Sequence, residues 1–198
     1  MTRHDRGARE RMVYSAVQLV RARGTNATGV RDVVDDSGSP RGSFQHYFPG
    51  GKEQLVAEAV RWSGRFAAEH VRGYLTRARR PTPAGLFAHM AAPWKDEFDR
   101  RGFDRGCPLM ATAAEVVGTD SGLKDQVREA ADEWLEAVEA ELVAMSVPRS
   151  RARTLATLMV GSLEGAIMLA RIRHDTGPLT AIVRELRPLL AGESGSRR

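Results

Sequence analysis

The sequence has a single cysteine in 198 residues. One thiol finds no partner within its own chain, so a disulfide-stapled scaffold is excluded. Long apolar runs are scarce too. The uncharged stretch Pro81 to Trp94 is short and carries three prolines and a histidine, whereas a spanning helix needs roughly 20 apolar residues. No membrane partner is therefore expected. The opening MTRHDRGARERM has no apolar run of the signal-peptide kind, which points to a cytoplasmic protein. Runs of alternating β-branched residues are missing, as are internal repeats; the one biased stretch is the tail GESGSRR. His4, His46, His70, His89 and His174 show no i,i+3 or i,i+4 spacing, so no metal site is expected. Around Lys52 the phosphate-loop pattern fails, because His46 holds the first glycine position and Glu53 follows the lysine. No nucleophile–base pair or cofactor fingerprint is found. The chain therefore reads as a non-enzyme that needs no cofactor.

What is present suits a globular protein with a real core: 42% hydrophobic and 28% charged residues. The charge is unevenly placed. Residues 1–80 carry 15 Lys+Arg against 8 Asp+Glu, a net +7, and residues 81–198 carry 15 against 17, a net −2. A basic module joined to a slightly acidic one suggests a polyanion partner for the first.

Apolar periodicity and Gly/Pro punctuation predict an all-α fold of about nine helices. A first helix spans about Arg6 to Arg23, with Met12, Ala16, Leu19 and Val20 in one stripe and Gly24 as its stop. A second runs from about Gly29 to Ser37 behind Thr28 as N-cap. Gly38 suits a tight turn. Ser39 then caps a third helix, Pro40 to Tyr47, which ends before Phe48-Pro49-Gly50-Gly51. A fourth helix is expected from Lys52 to about Arg79. The expected division is residues 1–52 as one domain, residues 52–79 as a connecting helix, and residues 80–198 as a second domain beyond the break Arg79-Arg80-Pro81-Thr82-Pro83. Later helices are predicted at about 84–100, 107–117, 123–145, 148–174 and 179–190.

The second and third helices with their Ser37-Gly38-Ser39 turn form a helix-turn-helix. Val30, Val33, Val34, Phe44 and Phe48 lock it from inside. Arg41, Ser43, Gln45 and His46 face outward, where arginine and glutamine can read guanine and adenine edges. Gly42 permits close backbone approach. Arg3, Arg6, Arg9 and Arg11 are candidates for an arm on DNA.

These stretches resemble the TetR family of bacterial repressors: Thr28-Gly29-Val30-Arg31-Asp32-Val33-Val34, Ser37 to Phe44, and His46-Tyr47-Phe48-Pro49. Phe48-Pro49-Gly50-Gly51-Lys52-Glu53-Gln54-Leu55 and Gly106-Cys107-Pro108-Leu109 resemble its LmrA/YxaF-like branch. The resemblance implies an N-terminal DNA-binding domain, an effector-binding and dimerising C-terminal domain, and a homodimer. It places Thr28 and Lys52 on phosphates, Arg41, Gly42 and Ser43 in the major groove, and His46 and Tyr47 on backbone or bases. Gln45, Val34 and Asp36 depart from the family pattern.

In the second module Trp62, Phe66, Met90, Trp94, Met110 and Met159 are the candidate liners of an apolar effector pocket. His89, Gln126 and Glu115 are candidate polar handles, and Cys107 is expected to be a buried small residue. The branch resemblance implies planar aromatic effectors. Leu155, Leu158, Ser162, Ala166 and Leu169 share one face of the penultimate helix, and Leu179, Ile182, Val183 and Leu186 form a stripe on the last. Two copies packed as a four-helix bundle would bury these faces. The leading reading is a one-component repressor: a homodimer on a palindromic operator of double-stranded DNA, released by a small apolar or aromatic effector. The alternative is a helical protein-interaction adaptor that does not bind DNA.

Overall fold

The computed structural model describes residues 7–119 and 121–192. Arg3, His4, Arg6 and the end of the GESGSRR tail lie outside them. Every regular element among the described residues is helical: α1 (Ala8–Arg23), α2 (Val30–Ser37), a 3-10 turn (Arg41–Ser43) running into α3 (Phe44–Tyr47), α4 (Gly51–Arg72), α5 (Tyr74–Arg77), α6 (Pro83–Arg101), α7 (Pro108–Val116), α8 (Leu123–Ala144), α9 (Arg149–Arg173) and α10 (Gly177–Gly192). With α5, a single turn after α4, counted as part of α4, this gives nine helices among the described residues. The fourth helix is shorter than expected because Gly73 interrupts it.

The chain divides into two compact units. One comprises the described residues up to Gly64 together with Arg105–Ala131; the other comprises Arg65–Asp104 together with the described residues from Asp132 on. The sequence places one domain at residues 1–52, a connecting helix at 52–79 and a second domain from residue 80 on. It cannot show that a later segment returns to the first unit, because the ties are single hydrogen bonds between residues some 85 positions apart. The Gly106 N–H donates to the Arg21 carbonyl at 2.9 Å and Arg21 Nε donates to the Gly106 carbonyl at 3.0 Å. Thr25 Oγ1 donates to Thr112 Oγ1 at 3.2 Å, and the Asn26 N–H donates to Glu115 Oε2 at 2.7 Å. Glu115, a candidate effector handle, thus serves the loop between α1 and α2. Gly24 sits in that loop at φ +83°, and a Cβ there would lie 2.1 Å from Glu115 Oε1.

The first unit is built around Met12, Val13, Ala16 and Val17 of α1, Val33 and Val34 of α2, Phe44, Phe48, and Leu55 and Ala59 of α4. Leu19, Val30, Tyr47 and Trp62 pack on its edge. Phe44 and Phe48 stack with centroids 5.3 Å apart.

In the second unit α10 packs on α6 and α9, and α6 on α9. Its interior includes Phe87, Met90, Phe98, Trp134, Leu142, Met159 and Leu163. α9 is long and apolar enough to cross a membrane by length and composition, but Ala152, Leu155, Ala156, Met159, Leu163, Ala166, Ile167 and Ala170 bury one side of it. A core helix passes the same test. Leu155, Ala166 and Leu179, expected at a dimer interface, are at most 2% exposed within one chain. They belong to this core, because buried and exposed apolar positions lie next to each other along α9 and α10.

The histidines are less scattered than their spacing suggests. His70 of α4 and His89 of α6 stack at 4.1 Å and 11°. Each ring Nε2 lies 3.1 Å from the other residue's backbone carbonyl. A carbonyl only accepts, so each ring carries its hydrogen on Nε2. Both carbonyls are ones the helices leave open. Pro93 lies inside α6 and has no N–H for the carbonyl four residues back, that of His89. The His70 carbonyl lies in the last turn of α4, where no intrahelical donor follows. Burial lowers the His70 pKa, and the nearby His89 and Arg77 act in the same direction, against its hydrogen bond to the His89 backbone.

Candidate nucleic-acid interface

The helix-turn-helix is positioned by a polar frame around the apolar core of the first unit. Gly38 adopts φ 62°, ψ 30°, the left-handed conformation that lets the chain reverse after α2. The Ser39 N–H then donates to the Val34 carbonyl at 3.3 Å. Arg11 Nε donates to the Ser37 carbonyl at 3.2 Å. The Ser15 hydroxyl donates to the Asp36 carboxylate, so Asp36, a departure from the family pattern, ties α2 to α1. Asp32 closes the start of α2: its Oδ2 accepts the Gly29 N–H at 3.2 Å and pairs with Arg23 at 2.6 Å.

Thr28, expected to cap α2, does not. Gly29 is the N-cap. Thr28 is 2% exposed, and its hydroxyl donates to the Gly24 carbonyl at 2.7 Å. A threonine beside a tight loop satisfies the nearest open carbonyl first.

The outward face is exposed at Arg41, Gly42, Gln45 and His46, and half-buried at Ser43 and Tyr47. The Arg41 side chain is 77% exposed and lies 3.6 Å from Asp35. A Cβ at Gly42 would meet nothing within 4 Å, so the space above it is open. Ser43 Oγ donates to the Pro40 carbonyl at 2.6 Å. Gln45 Nε2 donates to the Pro49 carbonyl at 3.2 Å, pinning α3 to the turn that follows it. His46 stands edge-on to Tyr47, centroids 5.1 Å apart. Lys52 Nζ donates to the Asn26 carbonyl at 3.3 Å, which brings the start of α4 to the loop before α2. Arg9 of the candidate arm is committed elsewhere: it pairs with Glu58 at 2.6 Å and covers the Phe48 ring at 5.4 Å. Sequence reasoning missed Arg31, whose side chain is 82% exposed and lies 3.8 Å from Asp35. An arginine on the solvent side of α2, opposite the buried Val33 and Val34, was the available signal.

A short helix with an open, arginine-bearing face, held by another at a left-handed glycine, is a shape that enters a major groove. Residues 14–59 match bacterial regulatory proteins of the tetR family, and residues 83–185 match the C-terminal domain of LmrA/YxaF-like transcriptional regulators. The chain belongs to the TetR family. It is 39% identical over 197 residues to an uncharacterized HTH-type transcriptional regulator of Mycobacterium tuberculosis, spanning 96% of this chain and 98% of that one. It is 29% identical over 175 residues to the HTH-type transcriptional regulator LmrA of Bacillus subtilis, spanning 88% and 92%. A TetR transcriptional regulator from Legionella pneumophila shares the fold at a TM-score of 0.80 and 17% identity, over 93% of this chain and 98% of that one. Another, from Chloroflexus aurantiacus, does so at 0.74 and 26% identity, over 94% and 95%.

In this TetR-family chain the candidate effector liners are shared between the two units. Trp62 packs on the helix-turn-helix core, edge-on to Tyr14 at 6.1 Å. Met110 is half-buried in the first unit, and Phe66 is 59% exposed. In the second unit Met90 and Met159 are buried, and half-buried Trp94 lies against Phe98 at 6.2 Å. The candidate handle His89 is engaged with His70. Cys107 is half-buried rather than fully buried. Of the candidate dimer residues, Leu158 and Leu169 are 38% and 51% exposed, and Ser162, Ile182, Val183 and Leu186 are half-buried. Exposed Met168 and Ile172 lie beside them on α9.

Proposed function

We propose that the protein is a one-component repressor that binds a palindromic operator as a homodimer and is released by a small apolar or aromatic effector. One observation carries the DNA-binding part: Arg41, Gly42 and His46, which would meet the DNA, are exposed, while the residues that fix their backbone are buried or hydrogen-bonded within the unit. Arg41, Gly42 and Ser43 lie in the major groove, where Arg41 reads a base edge, His46 contacts backbone or bases, and Lys52 holds a phosphate. Tyr47 contacts DNA through its exposed edge. Gln45 keeps its bond to Pro49 and supports the others.

The homodimer reading rests on α9 and α10. Leu158, Met168, Leu169 and Ile172 are exposed on α9, and Ile182, Val183 and Leu186 are half-covered on α10. Apolar surface on neighbouring helices is stabilised when a second copy covers it. The effector reading rests on Met90, Trp94 and Met159 of the second unit, adaptable side chains suited to an apolar guest.

The test is a mobility-shift titration against the intergenic DNA beside the protein's own gene and against random duplex, at two salt concentrations. Sequence-dependent, salt-sensitive binding is expected. Arg41→Ala should cost about 1–3 kcal/mol on the preferred sequence and relax the preference at one base pair. Failure to bind either duplex at low salt would remove the DNA-binding reading. Retained affinity and preference in Arg41→Ala would remove Arg41 from the reading set.

A further inference from the structure

Helix α2 carries three acids, Asp32, Asp35 and Asp36, close to a surface expected to meet a polyanion. Two of them hold the fold: Asp32 closes the start of α2 and pairs with Arg23, and Asp36 accepts from Ser15. Asp35 does neither. Its side chain is 49% exposed, and its carboxylate lies between two outward arginines, 3.8 Å from Arg31 and 3.6 Å from Arg41. Both arginine side chains are still more open, at 82% and 77%. Exposed pairs of this kind contribute little to stability. Packing therefore offers no reason for an acid here.

We infer that Asp35 is a specificity-determining residue of the DNA-binding face, an inference that rests on the repressor reading above. Two effects follow from its position. A fixed negative charge beside Arg31 and Arg41 competes with phosphates for both guanidinium groups and repels phosphate oxygens, which weakens sequence-independent binding. The same carboxylate steadies the Arg41 guanidinium from behind, so that less side-chain freedom is lost when its fork meets a guanine edge. Asp35 thus lowers affinity for any duplex while favouring the one that Arg41 reads.

The experiment compares wild type with Asp35→Asn, which keeps size and removes charge. The Asp35 backbone carbonyl, which accepts from Gly38 N–H, is untouched. A duplex enriched by the wild type from a randomised pool and a random duplex are titrated at several salt concentrations, with thermal melting as a control. Asp35→Asn should bind random duplex about threefold or more tightly, with a salt dependence steeper by up to about one phosphate contact, at an unchanged melting temperature. The ratio of enriched to random affinity should fall by a similar factor. A ratio unchanged or increased overturns the inference, whether both affinities rise together or neither moves. If neither protein binds any duplex at low salt, the repressor reading itself fails.

Discussion

The two units differ in how they hold their titratable side chains. In the helix-turn-helix unit the charged side chains proposed to meet DNA stand outside, and hydrogen bonds between neighbours in the chain hold their backbone. Gln45 reaches Pro49, Ser43 reaches Pro40, and Asp32 reaches Gly29. In the second unit two titratable side chains, those of His70 and Glu141, have pKa values shifted by burial. His70 and His89 exchange hydrogen bonds across 19 residues. Glu141 is 8% exposed on α8, with Oε2 buried and unpartnered, and its other tie is to the Leu75 backbone N–H. A surface made to recognise a partner needs open groups on a rigid frame. An interior that carries buried polar groups makes its stability depend on their protonation.

That contrast can be broken or sharpened by substitution. The largest effect is expected in the frame of the first unit. Phe48 is 0% exposed and stacked on Phe44, so Phe48→Ala should cost about 3–5 kcal/mol and abolish DNA binding through loss of folding. Chemical denaturation followed by circular dichroism measures it. A cost below 1 kcal/mol would mean that the stacked ring is not a keystone of this unit.

Next in size is Gly24→Ala. The φ of 83° and ψ of 172° belong to a region that is essentially glycine's, and occupying it with alanine costs on the order of 1–3 kcal/mol. The new Cβ would also displace Glu115 from the loop before α2. Weaker DNA binding as well as a lower melting temperature is expected. Loss of stability with full affinity would separate the loop from the DNA-binding face.

A pH effect distinguishes the second unit. With its pKa lowered in the folded state, His70 leaves stability full above its ordinary value of 6.5. Stability then declines as pH falls through 6.5 toward the lowered folded value, because the unfolded chain binds the proton first. His70→Gln retains a donor for the His89 carbonyl and removes the titration. Melting curves between pH 5 and pH 8 should slope less for the variant. Equal slopes would mean that the stacked pair carries no proton linkage.

The smallest expected effect concerns Glu141. Burial raises its pKa, opposed by the Leu75 N–H bond, so the folded state favours the protonated form. Stability is full below its ordinary value of 4.5 and declines as pH rises through 4.5 and the raised folded value. Glu141→Gln should therefore melt slightly higher at pH 7, by at most about 2 °C, and lose that advantage near pH 4. A lower melting point at pH 7 would mean that the carboxylate has a compensating partner in solution.

How much was legible in the sequence follows the same division. Helix periods, the stop at Gly24, the turn at Gly38 and the outward positions Arg41, Gln45 and His46 are readable, because each is a local pattern of a few residues, whereas Ser43, also expected outward, is half-buried. Errors arose where a residue's partner lies elsewhere. Thr28 matches the family motif but turns to the Gly24 carbonyl. Glu115 looked like a pocket handle and instead accepts from Asn26. Leu155, Ala166 and Leu179 have the spacing of an interface and the burial of a core. Periodicity marks an apolar stripe but does not say which neighbour covers it.

The sequence by itself determined the helical class, the basic first 80 residues and the helix-turn-helix, since backbone preference, charge and short-range apolar spacing are properties of neighbouring residues. Tertiary structure alone decided that residues 105–131 join the first unit, that Asp35 lies between Arg31 and Arg41, and that His70 meets a carbonyl opened by Pro93. Those outcomes depend on which open hydrogen-bonding groups and charges come within about 3–4 Å after the chain has folded, a distance that no spacing along the chain encodes.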